Sequence, residues 1–213
     1  MSGLFGLDFS HREVYISAVS ICFNPLFWNI VARNEHYNRT LTRLTGNRPQ
    51  LGCYILAMTI FSLGIVRDLL YKKALETQPV SPLLTGPVPE TLGLSCIALG
   101  NLFVISSTLK LGITGTFLGD YFGILMDEPV TSFPFNVVAN PMYHGSSLIF
   151  FGTALWLGRF MGIILTGLVV LVYWCAIQLE NPFTSMIYAQ RESSGKDAQR
   201  DDGITRTKTK KLS

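Results

Sequence analysis

Four long stretches of this chain carry no charged residue, and charged residues bound each of them at both ends. They cover 14–32, 49–66, 91–109 and 160–179, and each contains 18–20 residues. A helix of that length rises roughly 30 Å, which matches the hydrocarbon thickness of a bilayer. Only 15% of the residues are charged, against about 25% in soluble domains. The pattern predicts an all-α, polytopic integral membrane bundle with three or four spans.

The first stretch differs from the others because Asn24-Pro25 lies in its middle. Proline removes a backbone hydrogen bond, and the asparagine adds a polar group to an apolar segment. The segment therefore either crosses the membrane with a kink or is re-entrant and lies within one leaflet. We favour the re-entrant alternative.

The chain divides into a membrane-embedded domain, residues 1–189, and a basic tail, residues 190–213. The tail is polar and lacks periodicity, so we predict that it is disordered. Its lysines and arginines place it in the cytosol by the positive-inside rule. It ends in Lys210-Lys211 followed by two further residues, which matches the dilysine retrieval signal of endoplasmic reticulum membrane proteins.

Several classes of function are excluded by composition. The four cysteines lie in apolar segments without a C-x-x-C motif, so neither a disulfide framework nor a metal site is predicted. The net charge of +3 comes from basic residues in the tail and the short loops, and this is not the basic surface of a nucleic-acid-binding protein.

The segment 111–158 contains no lysine or arginine, although it is rich in glycine, proline and aromatic residues. It carries three acids, Asp120, Asp127 and Glu128. Aromatic faces and carboxylates both attract cations, so the segment predicts a site for a cationic ligand. Asp120 is the candidate catalytic residue, because an acid among glycines and aromatic rings at a membrane boundary has a functional role by default.

Several motifs resemble the phosphatidylethanolamine N-methyltransferase family, integral membrane enzymes that methylate a lipid amine with S-adenosylmethionine. They are GTFLGDYFGIL at 115–125, FPFN at 133–136 and NPMY at 140–143. FNPLFWNIVAR at 23–33 resembles the fungal form, which mainly performs the second and third methylations. The resemblance covers the chain from about residue 20 to Tyr188.

The resemblance implies an enzyme that converts phosphatidyl-N-methylethanolamine, through the dimethyl form, to phosphatidylcholine. It implies S-adenosylmethionine as the cofactor, a membrane phospholipid as the substrate and the bilayer as the environment, with no nucleic acid and no metal. The location that it implies is the endoplasmic reticulum membrane, with a mitochondrial membrane as a second location.

In this family the cofactor is attributed to a G-x-G motif in a helix and to a Glu-Glu pair after the last helix. The first motif reads Ala98-Leu99-Gly100 here, so a small alanine stands in place of its first glycine. The pair reads Glu180-Asn181, so one acid is an amide. The resemblance implies that Glu180 binds the ribose hydroxyls or the amino group of the cofactor, and that Asn181 acts as donor and acceptor.

Three other functions remain open at this point. One is a three-step enzyme that starts from phosphatidylethanolamine itself. Another is a prenylcysteine carboxyl methyltransferase, although Asn140 stands where that group has R-H before P-x-Y. The third is a non-enzymatic membrane scaffold or small transporter, but a transporter is expected to show an inverted repeat with two broken helices. This chain shows one broken helix.

Two arrangements of the C-terminal half are possible. In the single-span arrangement 160–179 crosses alone, and both the 111–158 segment and the arginine-rich 33–50 segment lie opposite the tail. In the hairpin arrangement 158–162 is a turn whose first arm is 146–157, and NPMYHG then lies on the same side as Glu180. Isoprenylcysteine-type methyltransferases have a similar motif and hairpin. Charge counting favours the hairpin, but we favour the single span, which matches the usual description of the resembled family.

Overall fold

The computed structural model describes residues 6–210, with side chains as far as Arg191 and at Ser193. Within these residues the α-helices are α1 Arg12–Asn38, α2 Thr40–Leu44, α3 Pro49–Glu76, α4 Pro87–Thr116, α5 Pro141–Trp156 and α6 Phe160–Lys210. Helices α1, α3, α4 and α6 are long and apolar enough to cross a membrane. The described part of the chain contains no β-strand. The predicted all-α membrane bundle is confirmed.

Helix α1 continues through Pro25 and lies antiparallel along the length of α3. Near its start, Val14 belongs to the same core cluster as Tyr71 of α3. Near its end, Ala32 belongs to the same cluster as Cys53. Because α1 extends as far as α3 does and is long enough to cross a membrane, it fits the spanning alternative and not the segment within one leaflet that we favoured.

Helices α4 and α5 approach each other so closely that their contact requires glycine. A Cβ atom added to Gly100 would lie 2.5 Å from the carbonyl oxygen of Gly145. A Cβ atom added to Gly152 would lie 2.5 Å from the carbonyl oxygen of Gly93. Small residues at helix contacts in membranes allow two backbones to meet in this way. The two pairs show that α5 runs antiparallel to α4.

Helices α5 and α6 form a hairpin, with its turn at Gly158 and Arg159. The backbone N–H of Ser81 donates to the Gly158 carbonyl oxygen at 2.9 Å, and the Arg159 guanidinium donates to the carbonyl oxygen of Gln78. The turn is thus held against the loop that joins α3 to α4. The hairpin arrangement is the observed one, and the single-span arrangement that we favoured is wrong.

The hairpin brings distant parts of the chain together at one end of the bundle. The Arg33 side chain at the end of α1 donates to the Leu179 carbonyl oxygen of α6 at 2.8 Å. Arg191 of α6 donates to the carbonyl oxygen of Met126 at 3.0 Å. The arginine-rich 33–50 segment, the 117–140 segment and the second half of α6 therefore lie at the same end.

The wrong choice of arrangement has a physical cause. Helix α5 has 16 residues, which is shorter than the uncharged runs that identify spans. One charged residue, Arg159, separates it from α6. A short helix that packs through glycine is recognisable only when its neighbour is known.

Helix α6 continues past residue 189 to Lys210. The predicted boundary between the domain 1–189 and the tail 190–213 therefore does not coincide with the end of a helix. The division into these two parts stays a prediction. Residues 211–213 of the dilysine motif lie outside the described residues.

Candidate active site

Glu180 of α6 lies inside the bundle, where its carboxylate accepts hydrogen bonds from two other helices. Trp28 Nε1 and Asn29 Nδ2, both of α1, donate to Oε1 at 2.7 and 2.9 Å. The Tyr143 hydroxyl of α5 donates to Oε2 at 2.6 Å. Hydrogen bonds to a charged acceptor are short and strong, so these three fix the orientation of the carboxylate. Helices α1, α5 and α6 converge on this one group.

The backbone of α6 is interrupted next to Glu180, because Pro182 lies inside the helix. A proline within a helix removes one hydrogen bond and disturbs the neighbouring turn. In that turn the Leu179 carbonyl oxygen accepts a hydrogen bond from Arg33. The Arg33 guanidinium lies over the ring of Phe183, with 4.9 Å between its Cζ and the ring centroid.

Asp120 lies on the short 3₁₀ turn Gly119–Phe122 that follows α4. Its Oδ2 accepts a hydrogen bond of 2.8 Å from the Thr184 hydroxyl of α6. Because Thr184 follows Glu180 by one helical turn, both residues lie on the same face of α6. Through Thr184, Asp120 is therefore placed about one helical turn along α6 from Glu180.

Aromatic rings surround the two acids. The rings of Tyr121 and Phe183 are stacked, with centroids 4.9 Å apart. The ring of His36 meets Phe183 edge-on at 5.1 Å. On the other side of Glu180, the rings of Tyr143 and Tyr173 lie 4.9 Å apart. Two carboxylates within a group of aromatic rings form an environment that favours a cation.

Two buried polar atoms on the face of α1 that meets α6 have no hydrogen-bond partner in the described part of the chain. One is an acceptor, Oδ1 of Asn29, and the other is a donor, Nε of Arg33. Buried polar atoms in proteins nearly always have a partner. The unused acceptor lies beside the carboxylate, and the unused donor lies one turn further along α1, so both can meet a polar ligand at this face of α1.

Two of the six residues expected from the sequence lie at this site, and Asn181 is one of the four that do not. Glu180 and Asp120 come together although 60 positions separate them in the sequence. Asn181 directly follows Glu180, but helical geometry turns it to another face of α6, where it is exposed. The structure therefore does not bring Asn181 together with Glu180.

The motif Ala98-Leu99-Gly100 is not brought to the site either. Ala98 and Leu99 are exposed on the surface of α4. Gly100 is buried, and the backbone of α5 occupies the space beside it. The connection between Gly100 and Glu180 is indirect. Helix α5 packs on Gly100, and the same helix carries Tyr143, which donates to Glu180.

Sequence reasoning missed three residues of the site, all on α1. Trp28 and Asn29 hold the carboxylate, and Arg33 reaches α6. A signal was present, because Asn29 is a polar residue within an uncharged span and such residues usually face a bundle interior. What the sequence did not show was that α6, 151 positions away from Asn29, supplies the acceptor.

The architecture defines a class of protein, a multi-pass membrane protein with an acid-bearing aromatic site at one end of its bundle. Comparison with known proteins gives the family. The phospholipid methyltransferase family model matches residues 89–191. A phosphatidyl-N-methylethanolamine N-methyltransferase of Neurospora crassa is 57% identical over 186 residues, which is 87% of this chain and 87% of that protein. This chain belongs to the phospholipid methyltransferase family.

Two further relatives extend the comparison. The protein of Saccharomyces cerevisiae with the same name is 50% identical over 194 residues, which is 91% of this chain and 94% of that protein. A phosphatidylethanolamine N-methyltransferase of Homo sapiens is 46% identical over 177 residues, which is 83% of this chain and 88% of that protein. No solved structure matches this chain.

Proposed function

We propose that this chain is a phospholipid N-methyltransferase that uses S-adenosylmethionine and converts phosphatidyl-N-methylethanolamine, through the dimethyl form, to phosphatidylcholine. The observation that carries the proposal is the Glu180 carboxylate, held by donors from α1 and α5, with a second acid, Asp120, bound to α6 one helical turn further on. The names of the fungal relatives support these methylation steps.

The residues around Glu180 fit S-adenosylmethionine, which carries a sulfonium, an ammonium and a carboxylate. The carboxylate of Glu180 has about four lone-pair sites, of which three are used, so it can accept one further hydroxyl or amino donor. The unused Oδ1 of Asn29 can accept another. The buried Nε of Arg33 suits the carboxylate of the cofactor, and the aromatic faces of Trp28 and Tyr143 suit a sulfonium. We assign Glu180, Asn29 and Arg33 to the cofactor.

The chemistry requires a neutral amine beside an electrophilic methyl group, which the cofactor supplies when it is bound. Removing the proton from an ammonium with a pKa near 10 costs about 4 kcal/mol of free energy at pH 7. Asp120 is the group that we assign to receive this proton, which frees the nitrogen lone pair for the new N–C bond. The methyl C–S bond would break at the same time, with its electron pair left on sulfur. Tyr121 and Phe183 stabilise the methylated ammonium that results. The reaction ends at choline, because a quaternary nitrogen has no lone pair.

Acceptor preference tests the proposal. Membranes that contain the protein, supplied with labelled S-adenosylmethionine, should methylate the monomethyl and dimethyl lipids at least about tenfold faster than phosphatidylethanolamine, the scale on which one methyl group changes specificity. Membranes without the protein are the control. Comparable rates on all three lipids would assign the three-step activity instead. No label in any phospholipid would contradict lipid N-methylation altogether.

We also propose a location in the endoplasmic reticulum membrane, with the active-site end of the bundle facing the cytosol. Basic residues support this orientation, because the arginines of the 33–50 segment lie at the same end as Arg191. The acid-bearing 117–140 segment lies at this end as well.

Cysteine labelling in sealed vesicles tests the orientation. In a chain without its four native cysteines, Asn38→Cys and Ser132→Cys should both react with an impermeant reagent from the cytosolic face. Thr85→Cys, in the loop between α3 and α4, is the control and should react only from the opposite face. Reaction of the Asn38 and Ser132 variants on different faces would refute the arrangement.

A further inference from the structure

A cavity of about 140 Å³ lies next to the proposed methyl-transfer site, between the end of α1 and the turn that carries Asp120. A water molecule takes up about 30 Å³ of liquid, so the cavity has room for a group of several heavy atoms. Residues on its walls include His36, Arg39, Asp120, Tyr121, Phe122 and Ile187. Glu180 is not among its lining residues, so the cavity is separate from the atoms that we assign to the cofactor.

The cavity has an anion on one wall and a cation on another. Asp120 uses one carboxylate oxygen for its hydrogen bond with Thr184. Glu35, the other acid on the walls, is committed to the start of α2, because its carboxylate accepts hydrogen bonds from Leu41 N and from the backbone and hydroxyl of Thr42. Asp120 is therefore the acid that is left to meet a ligand.

Arg39 supplies the cation. It is exposed, and it forms no salt bridge with any residue whose side chain is described. Its backbone caps α1 in the left-handed conformation, with φ 50°, and its N–H donates to the Glu35 carbonyl oxygen at 2.8 Å. This cap fixes the backbone from which the Arg39 side chain reaches the wall of the cavity.

We propose that this cavity binds the headgroup of a zwitterionic phospholipid, with its amine at Asp120 and its phosphate at Arg39. The guanidinium fork matches phosphate oxygens in geometry and charge. The rings of Tyr121 and Phe122 suit a methylated ammonium. In this position the amine lies next to Glu180 and the cofactor, and the phosphate lies at the exposed rim. The headgroup site rests on the proposed function, which assigns Asp120 to the amine.

The matched pair of variants is Arg39→Gln and Arg43→Gln. Both arginines are exposed, four positions apart, and Arg43 does not line the cavity. Arg39→Gln should raise the KM for the monomethyl lipid in mixed micelles about tenfold, the cost of one hydrogen bond to a charged group, with the KM for S-adenosylmethionine unchanged. Arg43→Gln should change neither constant by more than about twofold. Arg39→Lys keeps the charge and should recover part of the loss.

A second measurement does not depend on turnover. Labelled sn-glycero-3-phosphocholine, a headgroup without acyl chains, should bind the purified protein in detergent, about tenfold more weakly to Arg39→Gln and equally to Arg43→Gln. Arginine-dependent binding without methylation of any lipid would refute the proposed function and retain the headgroup site. The headgroup site would be overturned if both variants methylated lipid with the same lipid KM and bound the headgroup equally. A rise in the cofactor KM alone for Arg39→Gln would also overturn it.

Discussion

Replacing Glu180 with Gln is expected to raise the KM for S-adenosylmethionine about 10- to 100-fold and to leave the lipid KM nearly unchanged. The amide has the size of the carboxylate but no charge. Its nitrogen is a donor, and it would meet other donors, the indole N–H of Trp28 or the hydroxyl of Tyr143. Steady-state rates against each substrate in turn, at equal amounts of folded protein, measure the effect.

Glu76→Gln is the matched control for this variant. Glu76 is exposed at the other end of the bundle, where it lies 3.8 Å from Lys72 of the same helix, and an exposed pair of this kind contributes little. Its kinetic constants should equal those of the original protein. If the Glu180 variant behaved in the same way as the Glu76 variant, the assignment of the cofactor to α6 would have to be abandoned.

Replacing Asp120 with Asn is expected to lower kcat by about 10²- to 10⁴-fold, the usual contribution of a residue that transfers a proton. The amide oxygen can keep the hydrogen bond from Thr184, so the turn is expected to fold. Binding of the cofactor should persist, because Asp120 is not among the residues that we assign to it. Single-turnover rates together with direct binding of S-adenosylhomocysteine separate these two effects.

Asp127→Asn provides the comparison for Asp120. The Asp127 side chain is 97% exposed and lies 3.4 Å from Arg191. Its loss should change kcat by no more than about twofold, as is usual for exposed positions. Equal rates for the two variants would mean that Asp120 has only a structural role, in which its hydrogen bond with Thr184 holds the 3₁₀ turn against α6.

The spans and the two acids could be predicted from the sequence, because each depends on a local pattern or a local motif. An uncharged run of membrane length requires a helix whatever surrounds it. Asp120 stands among glycines and aromatic residues, and Glu180 stands where the resembled family has its Glu-Glu pair. Neither inference needed to know which helices are neighbours.

The partners of these acids could not be predicted in the same way. Trp28 and Asn29 meet Glu180 across more than 150 positions of sequence, and only the packing of α1 against α6 brings them together. The neighbour of Gly100 could not be predicted from the sequence either. A glycine that admits a cofactor and a glycine that admits a neighbouring helix have the same sequence signature, and the observed occupant is the backbone at Gly145.

The hydrogen bonds between α1 and α6 have a consequence for biosynthesis. Trp28 is made 152 positions before Glu180. While the ribosome makes the intervening helices, the indole N–H of Trp28 has no carboxylate to bind. The two ends of the chain therefore have to find each other inside the bilayer after translation of α6. The contact that orients Glu180 therefore forms only after α6 has been made, and a nascent chain that stops after α5 lacks the carboxylate on which α1 and α5 converge.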